Sequence, residues 1–186
     1  MLIEALATQL GALLADKNKK IVTAESCTGG WVSQAITQVA GSSLWFDRTY
    51  VTYSNDAKRQ MLGVKQRTLS KHGAVSQAVV EEMAVGALKK SEADFSVAIS
   101  GIAGPDGGTE EKPVGTVWLA WNIRGEVDSS MVVLPGGRRD VRAAAVTLAL
   151  QGLLVRIRKW LADHPGCQVV EQAVEKELTQ SLDESK

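Results

Sequence analysis

The chain is poor in the residues from which many sites are built. Its 186 residues include two cysteines, Cys27 and Cys167, and two histidines, His72 and His164. The cysteines lie far apart, one in a compact turn and one in a polar tail. That reads against a disulfide and in favour of a reducing compartment, so a cytoplasmic protein is expected. No cysteine or histidine falls at ligand spacing, which leaves a structural zinc site without donors. No charge of either sign prevails: Lys plus Arg equals Asp plus Glu at 21 each. The basic footprint of a nucleic-acid binder is therefore missing. No apolar run approaches the roughly 20 residues that span a bilayer, so no membrane association is expected. The opening Met1-Leu2-Ile3-Glu4 brings an early acid instead of a basic stretch, which predicts no signal peptide.

What is present fits one domain with a full core. It is expected over 1–162, followed by a polar, acidic appendage over 163–186. The chain is organised around Thr23-Ala24-Glu25-Ser26-Cys27-Thr28-Gly29-Gly30-Trp31. Apolar Ile21-Val22 leads in and an amphipathic run, Trp31 to Val39, leads out: strand, small polar turn, helix start. Ser26, Cys27 and Thr28 place hydroxyls and a thiol where a new helix exposes backbone N–H groups, which suits an anionic or carbonyl-bearing ligand. Gly29 lets the backbone come close to it.

Helical spacing marks Leu2 to Leu14 and a stripe from Val79 to Leu88 capped by Ser76. Shorter helices are expected over Ala57 to Leu62, behind the N-cap cluster Ser54-Asn55-Asp56, and over Lys65 to His72. A last long helix is expected from Val141 to about Leu161. Strands are expected over Ile21 to Ala24, most of Trp45 to Tyr53, Phe95 to Ser100, Val114 to Ile123 and Val127 to Leu134, the last two joined at Arg124-Gly125. This order predicts an α/β fold, a three-layer α/β/α sandwich with a mixed β-sheet. Four loops are expected to converge on one edge: Glu25–Gly30, Ala40–Trp45, the Gly-rich stretch Ser100–Gly108 with Gly101 and Gly104, and Pro135–Asp140.

Several side chains are candidates for chemistry. Cys27 near a helix N-terminus is a candidate nucleophile, although a small buried residue filling a turn is the better reading. His72 reads as a partner for a helix C-terminus before a general base. From the residues alone, Ser43 reads first as a cap. Lys58 reads either as a solvated lysine or as an amine whose pKa is lowered by burial near Arg48, Arg59 or Arg139. Arg138, Arg139 and Arg142 surround a helix start and either bind a phosphate or carboxylate or form a solvated cluster with Asp140. Asp106, Glu110 and Glu111 lack metal spacing and read as loop acids or as a partner for Lys112.

Taken together, Thr23 to Gly30, Ala40-Gly41-Ser42-Ser43, Tyr50 to Lys58, Gly73 to Ser76, Ser100 to Gly108, Lys112 to Val117 and Pro135 to Arg139 resemble the CinA C-terminal domain family. The resemblance covers about Leu6 to Leu161. It implies an α/β/α domain in a homodimer or higher homo-oligomer. The implied activity is hydrolysis of the carboxamide of nicotinamide mononucleotide to nicotinate mononucleotide and ammonia, with no metal or organic cofactor. Carried over, the resemblance implies Ser43 as nucleophile and Lys58 as its base. Ser26, Cys27, Thr28, Gly29, Tyr53, Ser100, Gly101 and Gly104 then line the substrate, with Arg139 on its phosphate side, a role open to Arg138 or Arg142 as well. The alternatives are a non-catalytic nucleotide-binding or regulatory domain, and a module that only assembles.

Overall fold

In a computed structural model of the chain, residues 2–165 are described. The appendage expected over 163–186, with Cys167, lies outside them from residue 166 onward.

The first helix, α1 (Leu2–Asp16), turns Leu6, Leu10 and Leu14 inward. Strand β1 (Ile21–Glu25) is buried at all five positions, as expected of a central strand covered on both faces. Helix α2 (Trp31–Thr37) and a 3₁₀ turn (Ser42–Leu44) lead to β2 (Phe46–Val51). Then come α3 (Asn55–Leu62), α4 (Gln66–His72), α5 (Gln77–Lys89) and β3 (Phe95–Gly101). The chain closes with β4 (Thr116–Ile123), β5 (Glu126–Val133) and the long α6 (Arg138–Asp163).

The five strands form one sheet in the order β2-β1-β3-β4-β5. β1 runs parallel to β2 and β3, while β3/β4 and β4/β5 are antiparallel. The hairpin turns at Arg124 and Gly125, both with positive φ (56° and 105°), the backbone that suits the right-handed twist of its strands. On one face α1, α2 and α6 enclose Leu10, Leu14, Val97, Leu119, Ala145 and Leu153. On the other, α3, α4 and α5 enclose Val80, Met83, Ala87 and Leu62. Ala24, Ala98 and Ala120 lie side by side across β1, β3 and β4, and this row of small residues lets α5 sit close to the sheet. Gly86 does the same between helices: a methyl group there would collide with the Leu62 carbonyl oxygen at the end of α3.

Two expectations change. Helix α6 starts at Arg138 and not at Val141, because Asp140 reaches back to accept the Gly137 N–H at 2.9 Å and closes the first turn early. Arg138 and Arg139 are therefore helical. Only three of the four loops share an end of the sheet. β1, β2, β3 and β5 all point the same way, so the segments after them gather together. The 40–45 segment precedes β2 and enters at the opposite end, where the Trp45 carbonyl accepts the Ile21 N–H at 2.9 Å.

Candidate active site

The site grows from the end of β1. Glu25 is fully buried, and its carboxylate faces the start of α2. One oxygen accepts from Thr28 Oγ1 (2.7 Å), Gly30 N (2.9 Å) and Val32 N (3.1 Å). The other accepts from Ser33 N (2.9 Å) and, more distantly, Thr23 Oγ1 (3.4 Å). The positive end of the helix is thus neutralised from within the chain. This corrects the expectation that α2 would offer its first N–H groups to an anionic ligand.

With Glu25 folded away, the next side chain, Ser26, faces a cavity of about 210 Å³ whose walls include Cys27, Tyr53, Lys58, Ser100, Gly101 and Arg138. Lys58 reaches it from the first turn of α3, which starts where Ser54 Oγ accepts the Ala57 N–H at 3.0 Å. The Lys58 amine donates to Ser26 Oγ at 2.9 Å and to the Thr52 carbonyl at 2.8 Å. Its side chain is 1% exposed. Neither partner is charged, and burial pulls the amine pKa down from 10.5 to about 8, opposed only weakly by Cys27. Arginine neighbours are not the cause. Arg48 pairs with Asp47 and Arg59 with Asp56.

The walls are held by hydrogen bonds to carbonyls. Ser100 Oγ donates to Ala74 O at 2.8 Å. Lys112 Nζ donates to His72 O (3.0 Å) and Val75 O (2.9 Å), tying the Gly-rich loop to the α4–α5 connection. Lys112 therefore answers carbonyls and not Asp106, Glu110 or Glu111, which stay exposed. Among the described residues no three His, Cys, Asp or Glu side chains gather to hold a metal. At the mouth, Arg138 bridges Gly104 O (2.9 Å) and the Tyr53 hydroxyl (3.2 Å).

The other candidates fall elsewhere. Ser43 is exposed in the 3₁₀ turn ahead of β2. The six residues of β2 span on the order of 16 Å at strand rise, and they separate Ser43 from Lys58, which follows β2. The serine beside the amine is Ser26, and the expected Ser43–Lys58 contact is not formed in this chain. Arg139 is exposed and is not among the cavity's walls. Arg142 turns to the back of the site: Nε donates to Cys27 O at 3.0 Å and Nη2 to Thr28 O at 2.8 Å. Thr28 is fully buried behind it, and Gly29 takes the left-handed conformation (φ 60°) that the tight turn requires. Cys27 is 7% exposed, and burial pushes its thiol up to about 11. It fills the turn as a neutral small residue and not as a thiolate. His72 lies exposed in the last turn of α4, and His164 stacks on Trp160.

Two parts escaped the sequence reading. The inward capping by Glu25 left no signal. The Ser26–Lys58 pair left one: Lys58 and Leu62 are four apart on α3, so the apolar face that buries Leu62 carries Lys58 in with it.

The chain as a whole is similar to known proteins. The sequence model of the CinA C-terminal domain matches residues 3–157. Nicotinamide-nucleotide amidohydrolase PncC of Escherichia coli K12 is 57% identical over 149 residues, 80% of this chain and 90% of that protein. The protein of the same name from Pseudomonas putida is 53% identical over 152 residues, 82% and 95% of the two chains. The crystal structure of the competence/damage inducible protein CihA from Agrobacterium tumefaciens superposes with a TM-score of 0.82 at 48% identity, over 83% of this chain and 95% of that one. With the family model matched over most of its length, a relative 57% identical and a solved structure superposing on its fold, the chain belongs to the CinA C-terminal domain family.

Proposed function

We propose that this chain is a nicotinamide-nucleotide amidohydrolase that converts nicotinamide mononucleotide to nicotinate mononucleotide and ammonia, with Ser26 as nucleophile and Lys58 as general base. The activity is that named for relatives sharing more than half of its aligned residues. The observation that carries the residue roles is the buried amine 2.9 Å from the Ser26 hydroxyl. An amine with a pKa near 8 is neutral in a usable fraction at neutral pH and still basic enough to take an alcohol proton.

Lys58 takes the proton as Ser26 Oγ bonds to the amide carbon. The protonated amine then gives that proton to the departing nitrogen, which leaves as ammonia. A water molecule repeats the cycle on the acyl ester. Arg138, at the mouth with Tyr53, is the cation best placed for the substrate phosphate, far from the reacting carbon. The homo-oligomeric state belongs to the same proposal, and a mass measurement in solution tests it.

The reading is tested by ammonia release from nicotinamide mononucleotide. Ser26→Ala and Lys58→Ala should each lose activity by roughly 10⁴-fold or more, as removal of a nucleophile or its base does. Ser43→Ala should stay within about threefold of the parent, the scale of a surface change. Loss of activity in Ser43→Ala with retention in Ser26→Ala would reverse the assignment.

A further inference from the structure

On one side the sheet ends in β5, whose outer edge no strand joins among the described residues. The backbone decides which of its groups are left over. Just past the strand, the Leu134 N–H donates to Gly115 O, just before β4, at 2.9 Å. In an antiparallel ladder the N–H and C=O of one residue point to one neighbour and those of the next residue point the other way. The even-numbered residues of β5 therefore bond to β4, while Val127, Ser129, Met131 and Val133 turn their N–H and C=O groups outward. The two-residue turn at Arg124 and Gly125 gives the same parity, since it makes Glu126 the hydrogen-bonded partner of Ile123.

The same four residues share a face. Ser129 Oγ donates to Glu81 of α5 at 2.7 Å, so their side chains lie on the α5 side. Met131 and Val133 are 49% and 54% exposed, and Val127 and Val85 of α5 are exposed as well. Edge strands that stay single are guarded by a charge or a proline within the strand. The opposite edge, β2, carries Arg48 paired with Asp47. β5 has no lysine, arginine or proline in its eight residues. Its two acids sit next to the turn, and Asp128 is held by Arg156.

We propose that the free edge of β5 is the interface with a second copy of this chain, paired antiparallel about a two-fold axis at Ser130. The proposal deepens the homo-oligomeric part of the functional reading and is independent of the activity. In this register Val127 pairs with the partner's Val133, and Ser129 with the partner's Met131. Every outward N–H and C=O of the four residues is then answered. An axis at any other residue leaves Val127 or Val133 without a strand partner, and an axis at Asp128 also sets that carboxylate against its own copy. The exposed apolar side chains of the two copies meet on the α5 side. The edge is about 26 Å long at strand rise, and about 20 Å deep across the sheet and its flanking helices. That offers on the order of 500 Å² per partner, or about 1,000 Å² in all, the size at which a specific but dissociable interface begins.

The test is a disulfide. Residues opposed in a non-hydrogen-bonded pair lie about 4.5 Å apart at Cα, within disulfide range. In a Cys167→Ser background, Ser130→Cys should therefore give a covalent dimer under mild oxidation. Asp128→Cys, opposite the partner's Val132, should not. Sedimentation of wild type should show a dimer that dissociates on dilution. Met131→Lys should weaken association by roughly tenfold or more, the scale of a lost interface contact, with an unchanged circular dichroism spectrum. A dimer that survives Met131→Lys and gives no Ser130→Cys cross-link would overturn this interface and leave the homo-oligomeric state standing. A wild type that is monomeric at every concentration would remove both. If Met131→Lys does not fold, the Ser130→Cys cross-link decides alone. Absence of ammonia release is a separate failure, which removes the amidohydrolase reading and not the interface.

Discussion

Replacing Lys58 with methionine should change stability in a way that only a buried, pKa-lowered amine can produce. In the unfolded chain the amine binds its proton up to pH 10.5, and in the folded protein only up to about 8. The unfolded state therefore binds more protons throughout that interval, and stability rises with pH across it. Below pH 8 the folded protein holds a buried charge whose cost is at most about 3.5 kcal/mol, at about 1.4 kcal/mol for each pH unit of displacement. Between pH 7 and pH 9 the wild type should gain about 1.4 kcal/mol relative to Lys58→Met by this linkage. Methionine also leaves Ser26 Oγ and Thr52 O without their donor, an offset of about 1–3 kcal/mol. That offset does not depend on pH, so the slope is diagnostic and the intercept is not. The Cys27 thiol, up at about 11, titrates outside the window. Urea denaturation of both proteins at pH 7, 8 and 9 measures the difference, in which all other groups cancel. A flat difference would mean that Lys58 keeps its ordinary proton affinity, and the proposed base would have no neutral form to work with. The kinetic counterpart is a kcat/KM that climbs with pH through a midpoint near 8.

Arg138→Ala should raise KM for nicotinamide mononucleotide by roughly 10- to 100-fold, the loss of one charge-assisted contact, while leaving the phosphate-free riboside unaffected. Steady-state kinetics on both substrates check this, and an equal effect on the two would remove Arg138 from the phosphate side. Gly86→Ala should destabilise the fold by about 2 kcal/mol or more, as overpacking does, because the added methyl meets the Leu62 carbonyl oxygen. Its thermal midpoint should fall, and activity should fall with it, since α3 also carries Lys58. A variant as stable as the parent would show that α3 and α5 are not in close contact.

Much of the fold was legible because it is written in short-range signals. The stripe from Val79 to Leu88, the run Ile21-Val22 and the cap at Ser54 each became the element their spacing implied. The direction of β2 was not legible, since no local pattern says whether a strand pairs parallel or antiparallel. Ser43 and Lys58 lie at opposite ends of β2 whichever way it runs; the parallel pairing with β1 decides that Lys58, and not Ser43, shares an end with Ser26. The start of α6 was missed for a related reason. Pro135-Gly136-Gly137 reads as loop, and only the return of Asp140 to the Gly137 N–H makes Arg138 helical. In the site, the residue types were visible and their partners were not. Arg138, Arg139 and Arg142 look alike in sequence. In the structure one faces the mouth, one faces solvent and one holds the back of the turn.

The arrangement of Glu25 explains how a lysine with a lowered pKa persists beside a carboxylate-bearing strand end. Glu25 immediately precedes Ser26, so a small rotation of the chain would bring its carboxylate toward the Lys58 amine. A carboxylate there would hold the proton on Lys58 and raise its pKa. Instead the carboxylate is engaged by three backbone N–H groups and the Thr28 hydroxyl at the start of α2, and by the Thr23 hydroxyl of β1, and burial of Lys58 is opposed by Cys27 and not by Glu25. The helix start thus has a second effect besides being capped: it removes from the cavity the one acid that would disable the base. That accounts for a glutamate being placed next to Ser26, the proposed nucleophile, without taking part in the proposed proton transfer. A shorter or neutral side chain at position 25 would leave the N–H groups of Gly30, Val32 and Ser33 unpaired in a buried turn, and the turn that carries Ser26 would open toward the cavity it now bounds.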